Sequence, residues 1–550
     1  MMFTIEVNKE NPNFQYMITD NEKSTASKDI LSRLKDFYCI FDDSVVHTYN
    51  YKHGIDDGKR YFITTKRNIF LRGLKKSILS WLDSNGAKYA DETEDDIKAY
   101  ITIEETEKFM NEIGVIFTPF DFQVKMVFYS INLRRIINLA AVGSGKSFVI
   151  YCITRWFLQQ NKRLTILTPD LMLKTQLYND FLDYYNTRYD ILEVEYQNNY
   201  KDDIKFKIKK EMDIIEAGRR RDNIQNFEDV YELISDNETK FSDKPIKVVN
   251  WQSVYRLTES EYFNNLDGII IDEVHKAGSA DSYYEILKAT GSAEYRIGLT
   301  GTNPSNPLTK LTLDGLIGRT VNIISLRQLI DRGLATEIFV QPILLRHPKA
   351  ISDELFPPGK KKLPWSEESK MIRNLEYRNK FIAEFGVSLS KIGGGQATII
   401  LAKNRDTQKQ IFEFCKEIHN NVYAINGNVK AKDREKIRQL AGEGGDIVVV
   451  GSGVILSTGI NIPALTNIIK TDGKSEIELI QSAGRVTRKS GNKNEAMFWD
   501  IVDDARYFGP RGGVKENYHY KHYLERVIAY TKYELPIRRE ISIDLTNSPL

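Results

Sequence analysis

The chain has 550 residues, enough for about three or four domains at ~150 residues each, with 41% hydrophobic and 28% charged residues. No run of about 20 apolar residues could span a bilayer, and the opening MMFTIEVNKENPNFQYMITDNEKS is polar and acidic where a signal peptide would be basic and then apolar; a cytoplasmic protein is expected. Cys39, Cys152 and Cys415 form no CxxC pair and no metal-ligand spacing with the seven histidines, and a net charge of only +2 leaves any grip on a polyanion to local patches and aimed backbone amides.

From Leu31 to Lys88 the chain reads as a small mixed domain, with a helix at Ile30 to Phe37, strands around Tyr61 to Thr65 and a helix at Leu71 to Ser84. Between Tyr51 and Ser80 there are eight Lys or Arg against two Asp, interleaved with Tyr51, Tyr61, Phe62 and Phe70. Lys59, Arg60, Lys66, Arg67, Arg72, Lys75 and Lys76 could neutralise phosphates there; a solvated basic face is an equal reading. The acidic stretch ADETEDDIKAYITIEETEKF follows, so residues 1–106 are taken as a basic domain with an acidic linker.

Beyond it, β-branched runs alternate with helix-like segments: IINLA, LTIL, KVVN, GIIID and YRIGLT, then FVQPILL, ATIILA, VYAIN, DIVVV, NIIK and MFWDIV. That alternation predicts two tandem parallel sheets covered on both faces, over 107–333 and 334–550, with a hinge near Gly333. The polar insert Tyr196 to Pro245, with its run EAGRRRD, reads as a solvated helical hairpin rather than a dedicated DNA contact. The final run HYKHYLERVIAYTKYEL reads as a helix packed on the second sheet.

Ala140 to Ser147, AAVGSGKS, lies between an apolar strand and a helix. Gly143, Ser144 and Gly145 let backbone N–H groups close on phosphate oxygens, Lys146 can reach the β and γ phosphates, and Ser147 can ligate Mg²⁺. Ala140 stands where the general pattern has its first glycine. Gln123, upstream, has a carboxamide that could both donate to and accept from an adenine edge, which favours ATP. About 125 residues after the loop, the strand GIII ends in Asp272-Glu273-Val274-His275. Asp272 would hold Mg²⁺ through its waters, Glu273 would orient or deprotonate the attacking water, and His275 would couple to the next motif.

The ordered set AAVGSGKS, LTPDLMLKTQ, VVNWQSV, DEVH, LTGT, GSGVILSTGINIP and QSAGRVTR resembles superfamily 2 helicases over Gln123 to Arg488. Within them the chain is similar to a family of phage recombination and repair helicases, through LSRLKDF, RNKFIAEFGVSLS, WDIVDDA and HYKHYLERVIAY. The resemblance implies an α/β fold of two tandem RecA-like parallel-sheet lobes behind a small α+β N-terminal domain. It also implies an ATP- and Mg²⁺-dependent helicase or translocase on branched or double-stranded DNA, active in branch migration and fork regression, in the host cytoplasm if phage-encoded. A monomer suffices for this, and no membrane partner is implied.

By the same resemblance, Gln481, Arg485 and Arg488 complete the ATP site from the second lobe, and Thr300 and Thr302 couple hydrolysis to lobe movement. Thr168, Pro169, Gln176, Trp251, Gln252 and Ser253, with Thr458, Gly459 and Asn461, touch the nucleic-acid backbone, Gly459 also serving the nucleotide. Trp251 is the weakest of these, since a buried aromatic after a strand is more often core. In the loop FPPGKKKLPWSEE, Lys361 could grip a backbone and Trp365 could stack on an unpaired base, against the plainer reading of a surface loop. A restriction-type translocase, an RNA helicase and a non-hydrolysing ATP-gated clamp share these motifs and stay open.

Overall fold

The structure is a computed structural model. It describes residues 2–10, 15–93, 100–234, 241–255, 263, 265–279, 281–304, 306–357, 361–392, 396–425, 429, 431–442, 445–452, 465–473, 495–509 and 513–547. The chain divides into two compact units, Met1–Ala140 with Ser144–Ile324, and Ser325–Leu550 with Ala141–Gly143. The break therefore falls at Ile324/Ser325. Gly333, the expected hinge, follows the helix Leu326–Asp331 inside the second unit with φ of +67°, the left-handed conformation that ends helices.

The first unit begins with a four-stranded sheet in the order Ile69–Leu71, Gln15–Asp20, Phe3–Val7, Tyr89–Asp91. In FTIEV every second residue points inward, so Phe3 and Ile5 are fully buried. The helices Thr25–Phe37 and Lys75–Ser84 supply Leu31, Leu34, Ile78 and Leu82 to the same core. Leu311 joins that core, and a Cβ on Gly73 or Gly315 would strike the facing chain, at Asp314 O and at Leu71. This close packing explains why 1–106 does not separate as a unit of its own. The acidic stretch is not all linker: Glu104 and Glu105 lie in the first turn of the helix Ile103–Asn111, whose Thr102 and Glu105 form a capping box.

The rest of the unit carries a parallel seven-stranded sheet in the order Thr320–Ile324, Arg135–Ala140, Tyr295–Thr300, Gly268–Asp272, Leu164–Thr168, Ile246–Asn250, Tyr231–Leu233. All five expected strands are present, and Thr320–Ile324 and Tyr231–Leu233 add the edges. Leu164–Thr168 and Ile246–Asn250 are buried along their whole length, because helices cover both faces of such a sheet. The insert is a helical hairpin: Leu171–Asn198 and Asp202–Arg221 close on Leu192, Ile208, Met212 and Ile215. Part of its basic run turns inward, with Arg219 3.9 Å over Tyr185 and Asp222 paired with the equally buried Arg155 at 2.6 Å, while Arg220 stays exposed.

The second unit is built on another parallel seven-stranded sheet, ordered Val422–Ile425, Val448–Gly451, Ala397–Leu401, Leu465–Lys470, Glu495–Asp504, Glu337–Arg346, Ile541–Asp544. The six expected strands are there, and the C-terminal Ile541–Asp544 is an unforeseen seventh. As expected, the helix Tyr518–Lys532 packs on this sheet, where Arg526 and Tyr530 bind Asp500 at 2.9 and 2.7 Å. Two similar sheets with a mixed domain in front make the α/β class that the segment order predicts.

Candidate nucleotide and nucleic-acid sites

The loop between Ala140 and the helix Lys146–Gln159 turns through Gly143 and Gly145, with φ of +87° and +80°. L side chains resist that conformation. Gln123 braces the loop: its Nε2 donates to Ser144 O at 3.0 Å and its Oε1 accepts from Phe120 N–H at 3.0 Å. A Cβ on Gly145 would collide with this carboxamide. Both ends of Gln123, expected to read adenine, are thus engaged by the protein, and the side chain is buried.

Lys146 Nζ reaches only a carbonyl, Ala140 O, at 3.3 Å among its described hydrogen bonds. Its charge is felt by Asp272 and Glu273 at the end of the neighbouring strand. Glu273 has φ of +49° and its N–H donates to Asp272 Oδ1 at 3.0 Å, so the chain reverses sharply there. A non-glycine residue in that region marks a position held by its surroundings. Burial, and then the charge of Glu273, raise the Asp272 pKa. Burial also pushes Glu273 upward, but Lys146 and His275 outweigh it and hold Glu273 low, hence ionised.

His275 is buried, with Nδ1 3.3 Å from Glu273 Oε2 and 2.8 Å from Thr300 Oγ1. Thr300 gives its own proton to Thr302 O at 2.9 Å. Nδ1 therefore faces two acceptors and carries the hydrogen. One chain of contacts runs from the catalytic-type carboxylate to the LTGT turn, and it joins four residues that the sequence singled out. The hydroxyls of Ser144 and Thr302 are buried without a described hydrogen-bond partner. Open polar groups, a lysine and hard oxygen donors at Ser147 and Asp272 fit a nucleoside triphosphate with Mg²⁺.

The expected nucleic-acid contacts divide. Gln252 is exposed and Gln176 and Ser253 are half-buried. Asn250, missed in the sequence, aims this turn by accepting Gln252 N–H at 2.7 Å, and an Asn at a strand end is the signal that could have shown it. Thr168 and Pro169 are buried, and the Thr168 hydroxyl lies 3.3 Å from Asp170 O and Val249 O, so it does not face outward. Trp251 packs on the core against Tyr283, ring centroids 5.3 Å apart. Gly459, Thr458, Asn461, Gln481, Arg485 and Arg488 lie outside the described residues.

In the basic segment, Lys59, Lys66 and Lys76 are exposed. Arg60 is paired with Asp42 and Asp56 at 3.4 and 2.9 Å, Arg67 with Glu10 at 2.7 Å, and Arg72 lies 5.5 Å over the Tyr16 ring. Lys75 is a correction: it is buried and bound to Asp91 at 2.7 Å, because its helix starts against the sheet. Trp365 is another. It opens the helix Trp365–Arg373 and sits 4.4 Å from His522 and 5.0 Å from His519, while Lys362 binds Glu368 at 3.3 Å; Lys361 remains exposed.

Two parallel-sheet units, with the glycine loop, lysine and acidic pair at the strand ends of the first, define the class: the chain is a superfamily 2 helicase, an ATP-dependent enzyme that acts on nucleic acid. Residues 104–305 match the family of the type III restriction enzyme res subunit, and 379–490 the helicase conserved C-terminal domain. The chain resembles the ATP-dependent DNA helicase uvsW of Enterobacteria phage T4, at 26% identity over 94% of this chain and 95% of that one. A crystal structure of T4 UvsW aligns at 22% identity over 99% and 100% of the two chains, with a TM-score of 0.46. The fold is shared with a fragment of a putative HsdR subunit of a type I restriction enzyme from Vibrio vulnificus, at 14% identity, TM-score 0.52, over 97% and 89%. Among the described residues no helix is long and apolar enough to cross a membrane.

Proposed function

We propose that this helicase is an ATP-driven motor on branched or double-stranded DNA that migrates junctions and regresses forks. The observation that carries this is the contact chain from Glu273 through His275 to Thr300 and Thr302, which ties a hydrolytic centre to a turn between elements. The likeness to a phage DNA helicase along nearly the whole chain supports the choice of DNA.

In this reading the amides around Gly143 and Gly145 and the amine of Lys146 bind the phosphates, and Gln123 holds the loop in shape. Ser147 and Asp272 hold Mg²⁺, which supplies neutralisation of phosphate charge when bound. Glu273, kept ionised, orients the attacking water by accepting its hydrogen bond. His275, with its proton on Nδ1, passes the state of Glu273 to Thr300. Arg485, Arg488 and Gln481 are assigned to the γ-phosphate by their place in QSAGRVTR, and Thr458, Gly459 and Asn461 to the nucleic-acid track. Gln252, Ser253 and Gln176 form the track on the first unit, and Lys59, Lys66 and Lys76 a separate duplex contact.

The test is the ATPase rate with linear duplex, forked DNA, four-way junctions, single strands and RNA. Forks and junctions are expected to stimulate most. Stimulation by RNA alone would falsify the DNA assignment; linear duplex as the sole activator would favour a restriction-type translocase, and no stimulation by any polymer an ATP-gated clamp.

A further inference from the structure

Three arginines of the second unit converge on one turn, Thr471–Gly473. The strand Leu465–Lys470 ends there, and the next residues in sequence, 474–494, carry Arg485 and Arg488. Arg378, on the helix Glu376–Ser390, donates from Nη2 to Thr471 O at 2.6 Å. Arg526, on the C-terminal helix, donates from Nη1 to Gly473 O at 2.7 Å. Arg373 pairs with the Asp472 carboxylate between them.

Arg378 and Arg526 are buried, and each is locked by an aspartate of the adjacent strand Glu495–Asp504. Arg378 binds Asp503 at 2.7 and 2.9 Å, and Arg526 binds Asp500 at 3.0 Å from Nε and 2.9 Å from Nη2. His347 and His519 close on Asp503 at 3.0 and 3.2 Å. Well-packed apolar residues would stabilise such an interior about as well as ion pairs, whose desolvation offsets most of their attraction. What a forked guanidinium adds is direction: it fixes a carboxylate and a carbonyl at once.

We propose that Arg373, Arg378 and Arg526 are positioning residues for ATP turnover, fixing the turn from which the arginine-bearing segment starts. The proposal rests on reading Arg485 and Arg488 as partners of the γ-phosphate. It accounts for segments outside the helicase motifs, RNKFIAEFG, WDIVDDA and HYKHYLERVIAY, by one shared task.

The decisive variant is Arg526→Lys, which keeps a cation for Asp500 but lacks the fork that also serves Gly473 O. In the full chain its kcat with forked DNA is expected to fall about tenfold or more, the scale of a small misplacement of catalytic groups. The KM for ATP and the affinity for a non-hydrolysable analogue should stay unchanged, since Gly145, Lys146, Ser147 and Asp272, read as the main holders of the nucleotide and its Mg²⁺, lie on the first unit. Arg485→Ala is measured beside it. Full kcat in Arg526→Lys where Arg485→Ala is inactive overturns the positioning role; full kcat in Arg485→Ala overturns the reading beneath it. If Arg526→Lys does not fold, Asp472→Ala releases Arg373 from the same turn, and an unchanged kcat there is equally fatal.

Discussion

Asp272 and Asp503 are the same residue at similar places, each near the end of a parallel strand, yet their surroundings push them in opposite directions. Burial and the Glu273 charge raise Asp272, with Lys146 as partial compensation. Burial works against the Asp503 charge too, but Arg378, His347 and His519 hold its pKa well below the ordinary range. A buried charge whose partners are all supplied by the fold is fixed and structural. One whose partners fall short is ready for a ligand to complete it.

The sharpest way to break this contrast is the pair of alanine variants. Asp503→Ala leaves Arg378 buried without its carboxylate, and is expected to cost about 3–5 kcal/mol in the second unit. Hydrogen exchange of the Glu495–Asp504 strand amides reads that loss. Asp272→Ala should remove ATP hydrolysis while leaving the first unit as stable as before, or firmer by about 1 kcal/mol, as expected where function is maintained against stability. Equal destabilisation by the two would show that the two aspartates do the same job. Next in size is Lys146→Ala, for which a turnover loss of about 10²- to 10³-fold is expected. Its melting temperature should fall as well, since the buried Glu273 loses the cation that helps to hold it ionised.

Most of the two sheets was legible because buried parallel strands need continuous β-branched runs, and GIIID, ATIIL and their neighbours have them. The phosphate loop was legible for a similar reason: the positive φ at Gly143 and Gly145 is a conformation that glycine adopts far more readily than other residues. What escaped depends on partners distant in sequence. Nothing near Trp365 announces that His519 and His522 will pack against it. Nothing near Arg378 announces Asp503. The short strands Phe3–Val7 and Gln15–Asp20 were missed because their alternation is brief, and they reveal their inward face only when paired.

The two aspartates also predict opposite responses to pH. Asp503 is depressed in the folded state, so its stabilisation is present above the unfolded value of ~3.9 and is lost as pH falls through the lower folded value. Asp272 is raised to about 7. Its contribution is present below the unfolded value and fades as pH rises toward neutrality, so the first unit should lose stability from about pH 4 to 7. Glu273, held near 2, titrates below that window. Thermal melts across it, with Asp272→Asn as the control that should flatten the slope, provide the measurement; a slope of the other sign would contradict the raised value.

The smallest expected effect repeats the lesson at the N-terminal domain. Lys66 and Lys75 belong to one basic run, but Lys66 is exposed and Lys75 is bound to Asp91 at 2.7 Å. If Lys66 neutralises one phosphate, Lys66→Ala should weaken duplex binding and flatten the plot of log affinity against log salt by about 0.9, with no change in melting. Lys75→Met should do the reverse, lowering stability because Asp91 loses its cation, while the salt slope stays put. A basic run then contains two populations that composition cannot separate, and the carboxylate within reach decides between them. Equal salt slopes for Lys66→Ala and the parent protein would remove Lys66 from the DNA-facing group and leave the run as a solvated surface.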